Sequence, residues 1–288
     1  MAEADGRDEA RGKGEPEATV EPHGTGKLHG TGQPRGAADR DELVAFLDDL
    51  LDVSAFQDYG PNGLQVPGAR EVRTVVTGVS AQRELFERAE EEGAQMVLCH
   101  HGLIWDGGPA VVTERMKGRL ETLFRSDISL AAYHLPLDAH PEVGNNALLC
   151  AELGLRRGEG FGDVRGRPIG LLGHADEELA ASELVERCRS VTGREPLVVG
   201  DGPDRVRRVG VVTGAGASVL DEAVARGLDA FVTGEPAERV MADSREAAMH
   251  FVAAGHYATE TFGVRRLGEL VAERFGVEHR FVDVPNPI

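Results

Sequence analysis

The sequence predicts an α/β fold: two pseudo-symmetric α/β lobes, built from duplicated strand–helix units, enclosing a dinuclear metal site. Three observations predict it. Short β-branched runs alternate with amphipathic runs along most of the chain, the pattern of a largely parallel sheet with helices on its faces. Several segments recur in order in the second half. Histidines and carboxylates stand at corresponding strand ends in both halves.

Bulk composition sets the frame. A chain of 288 residues is long enough for one large domain or two lobes, and 41% hydrophobic content implies a packed core. The formal net charge of −18, from 31 basic and 49 acidic residues, repels a phosphate backbone and argues against nucleic acid as a partner. No apolar run approaches the roughly 20 residues that span a bilayer. The opening MAEADGRDEARG lacks the apolar core of a signal peptide. These features point to a cytoplasmic protein with no membrane partner. Lysine occurs only at Lys13, Lys27 and Lys117, so the acidic surface reads as salt-adapted. Cys99, Cys150 and Cys188 are odd in number and lack C-x-x-C spacing, which favours buried structural thiols over disulfides or a cysteine zinc site.

Residues 1–38 read as a disordered acidic, Gly-rich tail. The tandem HGTGKL and HGTGQP, with His23 and His29, falls there and reads as solvated linker. Residues 39–288 form the folded part, with lobe one at about 39–160, lobe two at about 161–288 and the final segments packing between them. DELVAFLDDLL has apolar residues at helical spacing and acids in its first turn. VRTVVTGV is a strand, AQRELFERAEEEG an amphipathic helix ending at Gly93, QMVLC a buried strand, VTERMKGRLETLFRSD a second helix and ISLAAY a third strand. Residues from about 166 to 200 hold a strand, the helix SELVERCRS and the run PLVVGDG. Then VRRVGVVTG, ASVLDEAVARG and DAFVTG give strand, helix, strand. PAERVMADSREA is a helix, MHFVAAG a strand, TFGVRRLGELVAERFG a long helix and VEHRFVDV a last strand.

The repeat ties the halves together. VVTG at 75–78 matches VVTG at 211–214, QMVLCHHG at 95–102 matches DAFVTGEP at 229–236, and LAAYHLPLD at 130–138 matches VAAGHYATE at 252–260. The first half ends one strand with His100 and His101 and another with His134-x-x-x-Asp138. The second half ends the matching strand with His256-x-x-x-Glu260. In open α/β sheets ligands gather beyond the carboxyl ends of strands. Adjacent residues on a strand point to opposite faces, so His100 and His101 reach one site only where the strand ends, and Gly102 permits a turn there. HYATETFGVRRL suits helix onset, placing His256 and Glu260 on one face. Pro136 makes HLPLD an irregular loop. The set His100, His101, Asp138, His256 and Glu260 mixes nitrogen and oxygen donors, as zinc, iron, manganese, nickel or cobalt prefer. Five ligands exceed one four-coordinate ion with a free position and suit two divalent ions per chain, which at about 3.5–4 Å apart would polarise one substrate oxygen and activate water.

Other candidates are less specific. TGAGAS at 213–218 follows a strand and opens a helix. The amides around Gly214 and Gly216 would either cradle a phosphate or simply form a tight turn. Trp105 either stacks on a purine or packs against the site. Turn chemistry at Pro61-Asn62-Gly63 in DYGPNGLQV carries no readable function. His140, His174, His250 and His279 lack ligating company and read as structural or surface residues.

From about Asp41 onward, DYGPNGLQVPG, CHHGLIW, YHLPLDAHPEVGNNALL, VVTGAGAS, FVTGEP, AAGHYATET and FVDVPNPI together resemble the Nif-three-like dinuclear-metal-centre family, also called GTP cyclohydrolase 1 type 2 homologs. The resemblance implies metal ligands at His100, His101, Asp138, His256 and Glu260, with Glu260 bridging. It places His134 beside them as a substrate-facing group or proton carrier, so that His134 and Glu260 are the catalytic candidates. It implies a toroidal homohexamer and hydrolytic opening of the GTP purine ring by water activated at the metals. A nucleotide bearing four negative charges fits a −18 chain only if the site is locally positive. Arg265 and Arg266 would supply that, or else lie on an ordinary helix surface. Two alternatives stand beside the cyclohydrolase: a phosphoesterase-type hydrolase, and a metal chaperone or regulatory scaffold without turnover.

Overall fold

β-Branched residues crowd the run Thr74–Ser80, and alternation sends their side chains to both faces of a sheet: Val75 and Val79 enter one apolar cluster, Val76 another. The same burial on both faces marks most of the central strands in a computed structural model that describes residues 36–288. The expectations for the tail, including His23 and His29, lie outside the described residues.

The first part of the chain runs β1 (Ala38–Asp39), α1 (Arg40–Leu50), β2 (Gly63–Val66), β3 (Glu71–Val72), β4 (Thr74–Ser80), α2 (Arg83–Glu91), β5 (Met96–His101), α3 (Glu114–Arg125), β6 (Ser129–Ala132), α4 (Leu135–Ala139) and α5 (Asn145–Glu152). It continues with β7 (Arg156–Val164), β8 (Arg167–Ala180), α6 (Ala181–Thr192), β9 (Leu197–Val199), β10 (Arg205–Val212), α7 (Leu220–Ala225), β11 (Ala230–Thr233), α8 (Val240–Glu246), β12 (His250–Ala253), α9 (His256–Thr259), α10 (Thr261–Phe275) and β13 (Glu278–Phe281).

Two sheets organise these elements. The first has the order β13-β4-β5-β6-β2, the second β7-β8-β10-β11-β12-β9. β4, β5 and β6 are parallel, with β2 antiparallel beyond β6. β10, β11 and β12 are parallel, with β9 antiparallel beyond β12. The three pairs of matching segments fall on these equivalent positions: β4 with β10, β5 with β11, and β6 with β12. Helices cover both faces of both sheets. Leu43 and Leu47 of α1 and Val264, Leu267 and Val271 of α10 pack on one face of the first, while Leu85, Phe86 and Leu123 of α2 and α3 pack on the other. On the second sheet, α5 and α6 contribute Leu149, Cys150, Leu184 and Cys188 to one face, and α7 and α8 contribute Leu220, Ala223 and Val240 to the other. Among the described residues no helix is long and apolar enough to cross a membrane.

Several expectations change. Strand pairing extends before Asp41: Ala38 and Asp39 pair antiparallel with Val72 and Glu71, and the Asp39 carboxylate caps α1 by accepting from the amide of Asp41 at 2.8 Å. A boundary near residue 160 would cut β7 in two. That strand, RRGEGFGDV, combines three glycines with charge and offers no alternation to read. HLPLD is not an irregular loop. His134 precedes a short helix with Pro136 in its first turn, where the missing N–H costs nothing. The last strand returns to the edge of the first sheet beside β4. All three cysteines are free and buried.

Candidate metal centre

Carboxyl ends of β5, β6, β10, β11 and β12 deliver the site, each through the residues that follow or end the strand. His100 and His101 close β5. The imidazole of His100 is fully buried and donates from Nδ1 to the Tyr133 carbonyl at 2.9 Å, which in the neutral ring leaves Nε2 as the lone-pair nitrogen. His101 pairs Nδ1 with the Ser80 hydroxyl at 3.1 Å. Gly102 follows for a reason other than a turn, since a side chain there would overlap the Gln65 amide group, whose oxygen accepts from the Leu103 amide at 2.8 Å.

From the second sheet, α9 starts with His256 and the chain breaks at Glu260 before α10. This keeps both side chains on one face, with His256 Nε2 3.1 Å from Glu260 Oε2. His256 gives its Nδ1–H to Glu235, so its Nε2 also faces inward as a lone pair. Glu260 stands at the centre: its Oε2 is 3.2 Å from His101 Nε2, and its Oε1 is 3.5 Å from His100 Nε2. Asp138, from the end of α4, brings Oδ2 to 3.5 Å from the same His100 nitrogen. Its other oxygen accepts from Asn145 at 2.9 Å and Thr213 at 3.3 Å.

Ligating atoms therefore converge in three groups, His100–Asp138–Glu260, His101–His256–Glu260 and His100–His101–His134, each with atoms within 4.8 Å of one another. The donors fit a metal ion on grounds of their own. His100 Nε2 and Glu260 Oε2 are buried and have no hydrogen-bond partner, a costly state for polar atoms unless a ligand completes them. His100 and His256 are held in the tautomer that points a basic nitrogen at the cluster by acceptors behind the ring, an arrangement typical of ligating histidines. The buried His, Asp and Glu groups can thus hold a metal ion. Cys99 takes no part: its side chain lies in the opposite cluster, and burial pushes its thiol up so that it stays protonated.

The electrostatics of the cluster's own side chains follow from burial and crowding. Burial disfavours charge on His100, but Asp138 and Glu260 overcome it and raise its pKa to about 10. Burial likewise opposes charge on His256, which Glu260 and Glu235 raise to about 9. His101 goes the other way, to about 3, because burial outweighs the pull of Glu260. Burial would raise both carboxyl groups. It does raise Asp138, whereas the surrounding imidazoles hold Glu260 well below the carboxylate range.

His134 adjoins the cluster, its ring centroid 5.0 Å from that of His100, but a residue not singled out in the sequence holds it. Asp58 accepts its Nδ1–H at 2.7 Å and also accepts from the Leu135 amide and from Asn62. Burial would raise Asp58; the bond from His134 brings it down to about 2. DYGPNGLQV thus supplies the supports Asp58, Asn62 and Gln65. Glu235 also escaped notice, although the repeat aligns it with His101.

A cavity of about 380 Å³ opens over the cluster, walled in part by Tyr59, Trp105, Ile169 and Gly216. Trp105 donates from Nε1 to the Gly102 carbonyl and sets its ring edge-on to His134, so it packs against the site while facing the cavity. At TGAGAS the amides of both glycines are taken up within the protein. The amides of Gly214 and Gly216 each donate at 3.1 Å, to the hydroxyls of Thr259 and Thr233. Gly214 serves differently: with φ at +65° and the Glu260 carboxylate against its Cα, no side chain fits. Neither Arg265 nor Arg266 lines this cavity, and Arg266 pairs with Glu269 and Glu273.

Comparisons with known proteins agree with the layout. The profile of the Duf34/NIF3 (NGG1p interacting factor 3) family matches residues 38–287. A Pseudomonas aeruginosa protein named GTP cyclohydrolase 1 type 2 homolog is 44% identical over 245 residues, covering 85% of this chain and 97% of its own. An Escherichia coli K12 protein of the same name is 42% identical over 247 residues, covering 85% and 98%. Among solved structures, protein ybgI, described as of unknown function, superposes with a TM-score of 0.83 at 41% identity, covering 87% of this chain and all of its own. TTHA1606 from Thermus thermophilus gives 0.79 at 40%, with the same coverage.

Proposed function

The chain belongs to the Duf34/NIF3 family, and from that premise we propose that it is a dinuclear metal-dependent hydrolase acting on a nucleotide, with ring opening of GTP as the reaction to test first. One observation carries the reading: Glu260 belongs to two of the three donor groups and offers a different oxygen to each. In this reading His100, Asp138 and Glu260 hold one divalent ion, while His101, His256 and Glu260 hold the other. A bound pair of such ions supplies Lewis acidity, polarising a substrate oxygen and bringing the pKa of water toward neutrality. The rest falls to the chain's own groups. Asp58 fixes His134 with Nε2 toward the cavity, placed to take up and return a proton. Trp105 and Tyr59 line the cavity with aromatic surface against which a purine would pack. The coincidence of matching segments with equivalent strands supports duplication of one unit. A homohexamer belongs to the same proposal, and light scattering tests it. The reaction is tested by formate release from GTP with protein loaded separately with zinc, manganese or iron. Metal-dependent release abolished by His101→Ala supports the hydrolase. A chain that holds its metals and releases nothing from GTP or other nucleotides is instead a metal carrier or scaffold.

A further inference from the structure

Behind the turn that carries His256 and Glu260 lies a second and larger concavity, of about 850 Å³. The end of α6, the outer side of α9 and α10, and the segment after β13 form its walls, and it shares no lining residue with the metal cavity. Two guanidinium groups line it, Arg194 and Arg265, and neither makes a hydrogen bond or ion pair among the described residues. Their neighbours in sequence do. Arg189 pairs with Glu186 and Glu195, and Arg266 with Glu269 and Glu273.

The acids of the groove are already engaged. Glu195 takes two bonds from Arg189, at 2.5 and 2.7 Å, and Asp283 accepts the Tyr257 hydroxyl at 2.5 Å. With Glu195 paired to Arg189, Asp283 is the remaining carboxylate side chain among the lining residues, beside the two arginines. Both arginines are held in place. Arg194 lies against Gly255, whose φ of +99° and absent side chain let the guanidinium rest on the backbone. Arg265 stacks on the Phe281 ring at 3.5 Å. Burial lowers the pKa of Arg265 against the opposing pull of Asp283, Tyr257 and Glu269. A planar guanidinium with no hydrogen-bonded carboxylate is matched to a bidentate oxyanion.

We propose that this groove binds a small doubly charged oxyanion, borne by a phosphomonoester or a dicarboxylate, between Arg194 and Arg265. Its volume lies in the range of sites for whole metabolites rather than bare ions. The test is calorimetric titration of the metal-loaded full chain, in low-salt buffer, with glycerol 2-phosphate and, in parallel, with succinate. Saturable binding of at least one probe is expected, and which one binds separates phosphate from carboxylate. Arg194→Gln and Arg265→Gln should each weaken it about tenfold or more, and Arg265→Lys less than Arg265→Gln, because charge survives without the fork. Arg266→Gln and His101→Ala should leave it unchanged. Melting curves of the Arg194 and Arg265 variants confirm that they are folded. Binding that survives both glutamine variants, or that disappears in His101→Ala, would overturn the proposal, as would no binding of either probe at millimolar concentration.

Discussion

The turns His134–Asp138 and His256–Glu260 have the same spacing and follow equivalent strands, yet they use their residues differently. In the second turn both side chains face the cluster, 3.1 Å apart, and Glu235 supports the histidine from outside. In the first, the acid comes within 3.5 Å of His100, while the histidine, although within reach of His100 and His101, gives its Nδ1–H to Asp58. The backbone explains the divergence: His256 is the first residue of its helix, whereas His134 precedes its helix at φ −101° and ψ −106°. An i, i+4 spacing therefore states which residues can share a face. Distant partners decide whether they do.

That contrast is open to breaking by mutation, with effects on metal binding expected to descend in a fixed order. Gly214→Ala should be the most damaging, because it adds about 1–3 kcal/mol of left-handed strain and drives a methyl group into the Glu260 carboxylate. Equilibrium dialysis should find the folded fraction nearly free of metal, and metal content near that of the parent chain would refute the role given to Gly214. Glu235→Gln weakens the support behind a ligand and should reduce metal affinity by about 10–100-fold. Asn145→Ala touches the first turn and the helix that follows the second. Its amide nitrogen holds Asp138 and its oxygen accepts from the Gly263 amide at 2.8 Å. Losing these buried bonds should cost about 1–3 kcal/mol in denaturant unfolding, with a smaller loss of metal affinity. Asp58→Asn should leave metal content unaltered while lowering turnover, since His134 is the one histidine of the cluster that it holds. A fall in metal content equal to that of Glu235→Gln would show that the two turns work alike after all.

Much of the site was legible because strand ends in a repeated α/β unit are where ligands collect: His100, His101, Asp138, His256 and Glu260 do converge. The supports were not. Asp58 lies 76 residues from His134 and Asn145 118 from Gly263, and a single sequence carries no sign of such pairings. β2 was hidden behind the turn at Pro61–Gly63, and β7 behind glycines and charge. Pro136 suggested a loop because its position in the first turn, which decides its effect, depends on where the helix begins. Arg265 was legible as a positive residue near the metal motif. The side of the helix it occupies was not, and that side puts it in the groove behind the turn.

The central claim is that Glu260 joins two ion positions. Elemental analysis of the purified chain beside Glu260→Gln tests it most directly. Two ions per chain in the parent and loss of both together in the variant is the predicted result. One ion in the parent, or loss of a single ion with the other retained at full affinity, would contradict it.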